Sequence, residues 1–197
     1  MPRFRRVFYT CVLASSVALL PAIGAAATPA GRSVSASDIS IDNFGQINDT
    51  YYRGAQPNGP DYQALAALGV KTVIDLQADG TAAEGRLVEE AGMRFHRIAM
   101  TTHEPPTDAQ LVEFLHLVND PENQPVYVHC AGGRHRTGVM TAVYRMTHDG
   151  WSPDRAFKEM KQYKFGADFL HPEFRRFVSS YRVEPQDRAL DAALATN

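Results

Sequence analysis

A thiol and a guanidinium lie six positions apart in residues 129–138, where Cys130 precedes Arg136. An apolar run leads into Cys130 and glycines follow it, which predicts a strand, a tight loop and a helix N-terminus. Successive backbone N–H groups in such a loop, together with the helix dipole, bind anions and favour a thiolate at the start of the loop. The pair therefore predicts in-line attack of Cys130 on a phosphorus atom whose oxygens Arg136 holds bidentately.

The residues between this cysteine and this arginine are predicted to bind the phosphate group of a substrate. They are Ala131, Gly132, Gly133, Arg134 and His135. The whole chain carries a net charge of −2, so anion binding requires a local positive cluster, which Arg134 and His135 would supply. A solvent-facing Arg134 is the alternative.

The same segment resembles the signature of the protein tyrosine and dual-specificity phosphatases, His-Cys-x-x-Gly-x-x-Arg-Ser/Thr. The matching residues are His129, Cys130, Gly133, Arg136 and Thr137. The resemblance implies that His129 orders the loop and that the Thr137 hydroxyl assists breakdown of a cysteinyl phosphate. It implies no cofactor.

Three further stretches extend the resemblance to the small atypical dual-specificity phosphatases of plants, fungi and bacteria, including exported TpbA-type members. They are residues 52–57, 70–76 and 144–151, and the likeness covers about residues 40 to 182. It implies the compact dual-specificity phosphatase fold and hydrolysis of phosphotyrosine, with phosphoserine and phosphothreonine as further candidates. Atypical members carry a lysine at the position of Arg134, which keeps inositol phosphates or phosphoinositides as alternative substrates. A catalytically silent phosphate-binding module is a third interpretation.

The proton donor for the leaving group is left open among three residues of one loop. The family uses a carboxylic acid two to three dozen residues before the cysteine, and Glu104 stands at the position that aligns with it. Asp108 is the second candidate, although an acid at a helix start also stabilises the helix dipole. His103 is the third.

The N-terminus is predicted to be a cleaved signal peptide over residues 1–27. Three arginines precede an apolar stretch that ends in small residues, which is typical of export to the periplasm or the medium. The alternative is a membrane anchor over residues 7–27. Cleavage would remove Cys11 and leave Cys130 as the only cysteine.

The elements that must position these residues alternate between strand and helix, which predicts an α/β fold with a mostly parallel sheet of four to five strands. A flexible lead-in is expected over residues 28–38, the phosphatase domain over 39–183 and a tail over 184–197. Predicted strands cover 39–44 and 51–53, which are expected at the edge of the sheet, and 70–76, 93–98 and 126–129. Predicted helices follow caps at Asp61, Thr107 and Ser152 or begin at Ala82, Arg136 and Pro172, and Gly69 is expected to end the first of them.

Composition restricts the partners. A near-neutral charge without a long basic run argues against nucleic acid, and cleavage of the signal would leave no membrane insertion. The expected partner is a phosphorylated protein or a small phosphate ester. Histidines show no helical ligand spacing near Cys130, so no metal site is predicted.

Overall fold

The computed structural model describes residues 34–183. The predicted signal peptide, Cys11 and the C-terminal tail lie outside the described residues. Of the predicted lead-in only residues 34–38 are described, and they include a short 3-10 helix, Ala36–Asp38. Within the described range, no helix has both the length and the apolar character needed to cross a membrane.

Five strands form one sheet in the order β1-β2-β5-β3-β4. Their bounds are β1 Gly45–Asn48, β2 Tyr51–Ala55, β3 Thr72–Gln77, β4 Arg94–Met100 and β5 Val126–Cys130. The pairs β2–β5, β5–β3 and β3–β4 are parallel, and only β1 is antiparallel to its neighbour. The predicted α/β fold with a mostly parallel sheet is confirmed.

Within residues 34–183, six α-helices connect and cover these strands. Their bounds are α1 Gly59–Leu68, α2 Glu84–Glu90, α3 Asp108–Asn119, α4 Arg136–Thr147, α5 Pro153–Gln162 and α6 Pro172–Ser180. Two predicted caps are confirmed, since the Thr107 hydroxyl accepts from the Gln110 N–H and the Ser152 hydroxyl from the Arg155 N–H. Both satisfy a backbone donor that the first helical turn leaves unpaired.

Two predictions near the N-terminal edge of the domain are wrong. The strand expected over 39–44 begins only at Gly45, because the chain turns before it and Asn43 has a left-handed backbone with φ of 57°. Arg53 was expected on an edge strand, but β2 pairs on both sides and buries all five of its residues. The edge position belongs to β1.

A smaller correction concerns the start of α1. Asp61 was predicted to cap this helix, but the helix begins at Gly59 and Asn58 is the cap. The Asp61 carboxylate instead accepts from the Asn58 N–H at 2.8 Å, which is the reciprocal half of a capping box. Gly69 ends the helix with φ of 98°, as the sequence predicts.

Two apolar clusters pack on the sheet. One unites α3, α4, α5 and α6 with the strands through residues such as Phe114, Val128 and Phe174. The other packs α1 and α2 against the sheet through Leu65, Val73 and Val88 and the neighbouring side chains. Because both clusters hold β5 in the middle of the sheet, the turn that follows β5 rests on a fixed support.

Candidate active site

The loop between β5 and α4 depends on one glycine in a left-handed conformation. Gly133 has φ of 61°, which favours glycine over other residues. A Cβ at this position would lie 2.4 Å from the carbonyl carbon and oxygen of Gly54 on β2. Gly133 therefore lets the loop turn and lie directly against the neighbouring strand.

Side chains and backbone from outside the loop bind its carbonyl oxygens. The Asn43 amide donates to Gly133 O at 2.7 Å, the buried Arg53 guanidinium donates to the same oxygen, and Gln56 N–H donates to Ala131 O at 3.2 Å. A planar trans peptide directs its N–H opposite to its C=O. The amides that follow these carbonyls, those of Gly132 and Arg134, therefore point to the interior of the loop, as an anion-binding nest requires.

Arg53 is a buried cation beside this loop. Its guanidinium carbon lies 4.1 Å from the centre of the Tyr163 ring, and Nε and Nη1 have no hydrogen-bond partner among the described residues. Burial lowers the pKa of Arg53, while nearby Tyr51, Tyr163 and Cys130 act in the opposite direction. A cation held in a dry site exerts an electrostatic effect on the loop that water screens little.

Cys130 ends β5 and is buried, with 4% of its surface exposed. Thr137, in the first turn of α4, is fully buried, and its hydroxyl has no hydrogen-bond partner among the described residues. A buried hydroxyl without a partner is costly unless a ligand satisfies it. The Thr137 hydroxyl is therefore available to a group bound in the loop.

His129 lies on β5 inside a buried polar cluster. Its Nε2 is 3.0 Å from Glu84 Oε1, and its Nδ1 is 4.0 Å from Asp75 Oδ1. The Glu84 carboxylate also accepts from Gln56 at 2.6 Å and from the Tyr62 hydroxyl at 3.0 Å. Because the Gln56 backbone N–H binds Ala131 O, this cluster is joined to the loop, as the ordering role predicted for His129 would require.

The two carboxylates of the cluster differ in their proton affinity. Burial would raise the pKa of Glu84, but its pairing with His129, Gln56 and Tyr62 outweighs burial and lowers that pKa. Burial raises the pKa of Asp75, and the charge of Glu84 adds to that rise while His129 opposes it. Arg97 lies 2.8 Å from Asp75 Oδ2 and 3.6 Å from Glu84 Oε2. Two basic side chains thus face two buried acids.

Arg136 begins α4 and is 4% exposed. Its Nη1 donates to Met100 O at 3.1 Å and to Asp79 Oδ1 at 3.0 Å. Asp79 follows β3 and its side chain is 74% exposed; the hydrogen bond from Arg136 lowers the pKa of this carboxyl. A carboxylate thus holds the predicted phosphate clamp in the free protein.

The two remaining basic residues of the loop point elsewhere. Arg134 is half exposed, and its Nη2 lies 3.8 Å from Asp42. His135 Nε2 lies 3.0 Å from Phe165 O, and its ring is 3.7 Å from that of His171. Burial lowers the pKa of His135, so this ring is held neutral rather than as an added charge. These contacts leave the positive cluster expected from Arg134 and His135 as a prediction.

The three candidate acids lie on an exposed loop and the adjoining helix start. Glu104 Oε2 accepts from the Thr101 hydroxyl at 3.0 Å, and both side chains are exposed. His103 is exposed and lies near His171. Asp108 begins α3 and lines a surface groove with Val112 and His116, a groove that contains no residue of the phosphate-binding loop. The choice among the three acids stays a prediction.

Sequence reasoning missed Asp79, Glu84, Asp75 and Asn43. The spacing of the signature does not contain them, because β3, the turn after it, the start of α2 and the chain before β1 bring them to the loop. A signal was present for Gln56, which belongs to the stretch 52–57 that resembles the atypical phosphatases. For Asp79, its place just after a parallel strand was a usable signal, since ligand sites lie beyond such strand ends.

Comparison with known proteins agrees with this geometry. Residues 29–175 match the family described as the DSP-PTPase phosphatase fused to NAD+ kinase. The chain belongs to this family. Its α/β domain is therefore a dual-specificity phosphatase domain, as the resemblance of the signature implied.

Two curated relatives show the range of this phosphatase family. The dual specificity protein phosphatase TpbA of Pseudomonas aeruginosa is 35% identical over 147 residues, which cover 72% of this chain and 65% of TpbA. The inositol diphosphatase SIW14 of Saccharomyces cerevisiae is 26% identical over 133 residues, which cover 64% of this chain and 47% of SIW14. The match thus spans less than two thirds of either relative.

A solved structure gives the same result for the fold. TpbA of P. aeruginosa, in a cysteine-to-serine variant bound to phosphotyrosine, superimposes with a TM-score of 0.64 at 26% identity, covering 86% of this chain and all of that one. The dual-specificity phosphatase fold predicted for this chain is confirmed.

Proposed function

We propose that this phosphatase domain hydrolyses phosphomonoesters through a cysteinyl-phosphate intermediate, with phosphotyrosine as the preferred substrate. The observation that carries the proposal is the loop itself. Its carbonyls bind donors outside, so its amides point inward between Cys130 at one end and Arg136 at the other. Such a loop stabilises the charge that a phosphoryl group carries in the transition state.

In the first step, the Cys130 thiolate attacks phosphorus in line with the ester oxygen. The S–P bond forms while the P–O bond breaks, and the leaving oxygen takes a proton from a carboxylic acid. We assign that acid to Glu104, which stands at the position that aligns with the acid of the family and is exposed on the loop after β4. Arg136 binds the equatorial oxygens bidentately, and Asp79 lies beside its Nη1 in the free protein.

In the second step, a water molecule attacks the phosphorus of the cysteinyl phosphate. Glu104, now a carboxylate, takes the proton of this water, the S–P bond breaks, and inorganic phosphate leaves. The Thr137 hydroxyl, buried and without a partner, donates to the departing Cys130 sulfur and stabilises the returning thiolate. His129 keeps the loop in place through Glu84.

The charges around the loop favour a substrate with a single phosphate. Arg134 pairs with Asp42 and His135 is held neutral, so neither side chain adds a charge for a second phosphate. Asp79 beside Arg136 adds a negative charge at the site. TpbA, whose variant binds phosphotyrosine, is a relative of this chain.

The second candidate is hydrolysis of an inositol polyphosphate. It is supported by the inositol diphosphatases among the relatives and by Arg134, which could leave the exposed Asp42 for a polyanion. A direct test compares kcat/KM for a phosphotyrosine peptide with that for an inositol pyrophosphate. We expect the peptide to be preferred. Preference for the pyrophosphate would select the second candidate, and binding of both without turnover would indicate a silent module.

We also propose that the protein is exported and loses residues 1–27. The proposal rests on the basic start, the apolar stretch and the small residues that end it. Sequencing the N-terminus of the protein produced in its native host should give Thr28 as the first residue. An intact Met1 on membrane-bound protein would instead support the anchor.

A further inference from the structure

Two histidines and a glutamate, from two segments of the chain, lie close together beside the phosphate-binding loop. His103 belongs to the loop after β4, His171 precedes α6, and Glu173 lies in the first turn of α6. One potential ligand atom of each lies within 4.8 Å of the other two. This cluster of His103, His171 and Glu173 takes no part in the proposed mechanism.

Two of the three members of this cluster already lie together. His171 Nδ1 lies 3.2 Å from Glu173 Oε1, and both side chains are largely buried. The His171 ring stacks between His135, with ring centres 3.7 Å apart, and Phe174, at 5.8 Å. His135 is itself fixed through Phe165 O. A ligand pair held by packing loses little side-chain freedom when it binds an ion.

The third member, His103, would have to move when an ion binds. Zinc bonds to histidine nitrogen and carboxylate oxygen are about 2.0–2.2 Å long, so three ligand atoms around one ion lie closer together than in the free protein. His103 is exposed on a loop, and its ring centre is 6.0 Å from that of His171. A shift of this one side chain closes the cluster, while His171 and Glu173 stay in place.

We propose that His103, His171 and Glu173 form a binding site for a divalent transition metal ion of the zinc class. Imidazole and carboxylate ligands suit zinc, and three protein ligands leave a fourth position for water. The histidine spacing along the sequence gave no sign of this site, because His103 and His171 are 68 positions apart (171−103). Folding of the loop after β4 against the start of α6 creates it.

A bound ion would join two segments that flank the catalytic loop. Glu104 directly follows His103, so the ion would restrain the loop that carries the proposed acid. It would also fix His171, whose ring packs on His135 of the phosphate-binding loop. This consequence rests on the proposed function, whereas metal binding itself does not.

The test measures zinc binding in untagged protein whose Cys11 and Cys130 are both replaced by serine, so that no thiol binds the ion. Competition with a chromogenic zinc chelator gives the stoichiometry and affinity. We expect one ion per chain, and at least about a tenfold loss of affinity in His103→Asn and in Glu173→Gln, since even indirect changes at metal sites cost this much. His116→Asn, which replaces an exposed histidine on α3, is the matched control and should bind as the parent does.

His103→Asn is the decisive variant, because its side chain is exposed and its replacement leaves the core intact. Zinc should also raise the thermal midpoint of the parent by preferential binding to the folded state, and this rise should disappear in His103→Asn. No binding by the parent would overturn the proposal. Equal affinity in the parent and His103→Asn, or an equal loss in His116→Asn, would overturn it as well.

Discussion

The phosphate-binding loop and the loop after β4 lie at the same edge of the sheet but are held in different ways. Buried groups support the first loop. Arg53 binds it directly, and Glu84 binds Gln56, whose backbone N–H in turn binds the loop. The second contains an exposed Glu104 that binds only Thr101 in the described structure. The proposed nucleophile is thus buried in a supported loop, while the proposed proton donor is exposed.

This difference suits the chemistry proposed for each loop. A nest of amides works only if its geometry is fixed before the substrate arrives. A proton donor must instead approach the leaving group after binding and later serve a water molecule, which an exposed loop permits. Changes in the buried support should therefore affect stability, whereas changes in the exposed loop should affect turnover alone.

The largest effect is expected for Glu84→Ala. The change removes a buried carboxylate that accepts from Tyr62 and Gln56 and lies 3.0 Å from His129, and loss of one buried partner costs about 3–5 kcal/mol of unfolding free energy. Urea denaturation measures it. Glu104→Ala, in the exposed loop, should stay within about 0.5 kcal/mol of wild type, and equal losses would remove the distinction between the two loops.

The pKa of Glu84 also predicts how the stability of the fold depends on pH. The pKa of Glu84 is lowered in the folded protein from its ordinary value of 4.5, so its ionised form stabilises the fold. This contribution is present above 4.5 and is lost as the pH falls through the folded pKa. The difference in stability between wild type and Glu84→Gln should therefore shrink below pH 4.5. A difference that grows with acidity would mean that the pKa is raised.

Arg136→Lys should lower kcat/KM by about 10²–10³-fold, because an ammonium cannot bind two phosphate oxygens in a planar fork. Steady-state kinetics with an aryl phosphate measure the loss. Arg134→Lys, in the same loop but paired with Asp42, is the matched control and should change kcat/KM only a few-fold. A larger effect at Arg134 would show that its side chain turns to the substrate.

Glu104→Gln should lower kcat about 10²-fold with an alkyl phosphate, whose leaving oxygen needs a proton. An activated aryl phosphate, which needs little proton transfer, should be affected far less. Asp108→Asn is the matched acid on the adjoining helix and should leave both rates nearly unchanged. If Asp108→Asn gave the larger loss, the acid would have to be reassigned.

The smallest effect is expected for Asp79→Asn. Ionised Asp79 competes with phosphate for Arg136, so its neutralisation should strengthen inhibition by inorganic phosphate a few-fold while kcat stays close to wild type. Asp42→Asn, an exposed acid that pairs with Arg134 instead, serves as the control. A large fall in kcat for Asp79→Asn would make Asp79 a catalytic group rather than a competitor.

The sequence predicted what depends on local spacing. Cys130, Gly133 and Arg136 lie within one strand–loop–helix unit, so their types and separations determine the loop almost alone. The α/β fold was likewise predictable, since alternating apolar strands and amphipathic helices repeat along the chain.

Features that depend on tertiary contacts were not predictable. The burial of Arg53 follows from pairing of β2 with β5, and the pairing of Arg134 with Asp42 joins residues 92 positions apart (134−42). The strand expected over 39–44 failed because Asn43 turns the chain and binds the loop carbonyls. The apolar pattern of this stretch favours a strand, but the hydrogen bond from Asn43 to the loop accompanies a turn.

The most direct test of the account is rapid-quench trapping of the phosphoenzyme. Wild-type protein, mixed with a radiolabelled phosphotyrosine peptide and quenched in acid, should carry the label on the sulfur of Cys130, as peptide mapping would show. Cys130→Ser should bind the peptide but show no turnover. Turnover that survives in Cys130→Ser, or label found on a residue other than Cys130, would contradict the proposed mechanism.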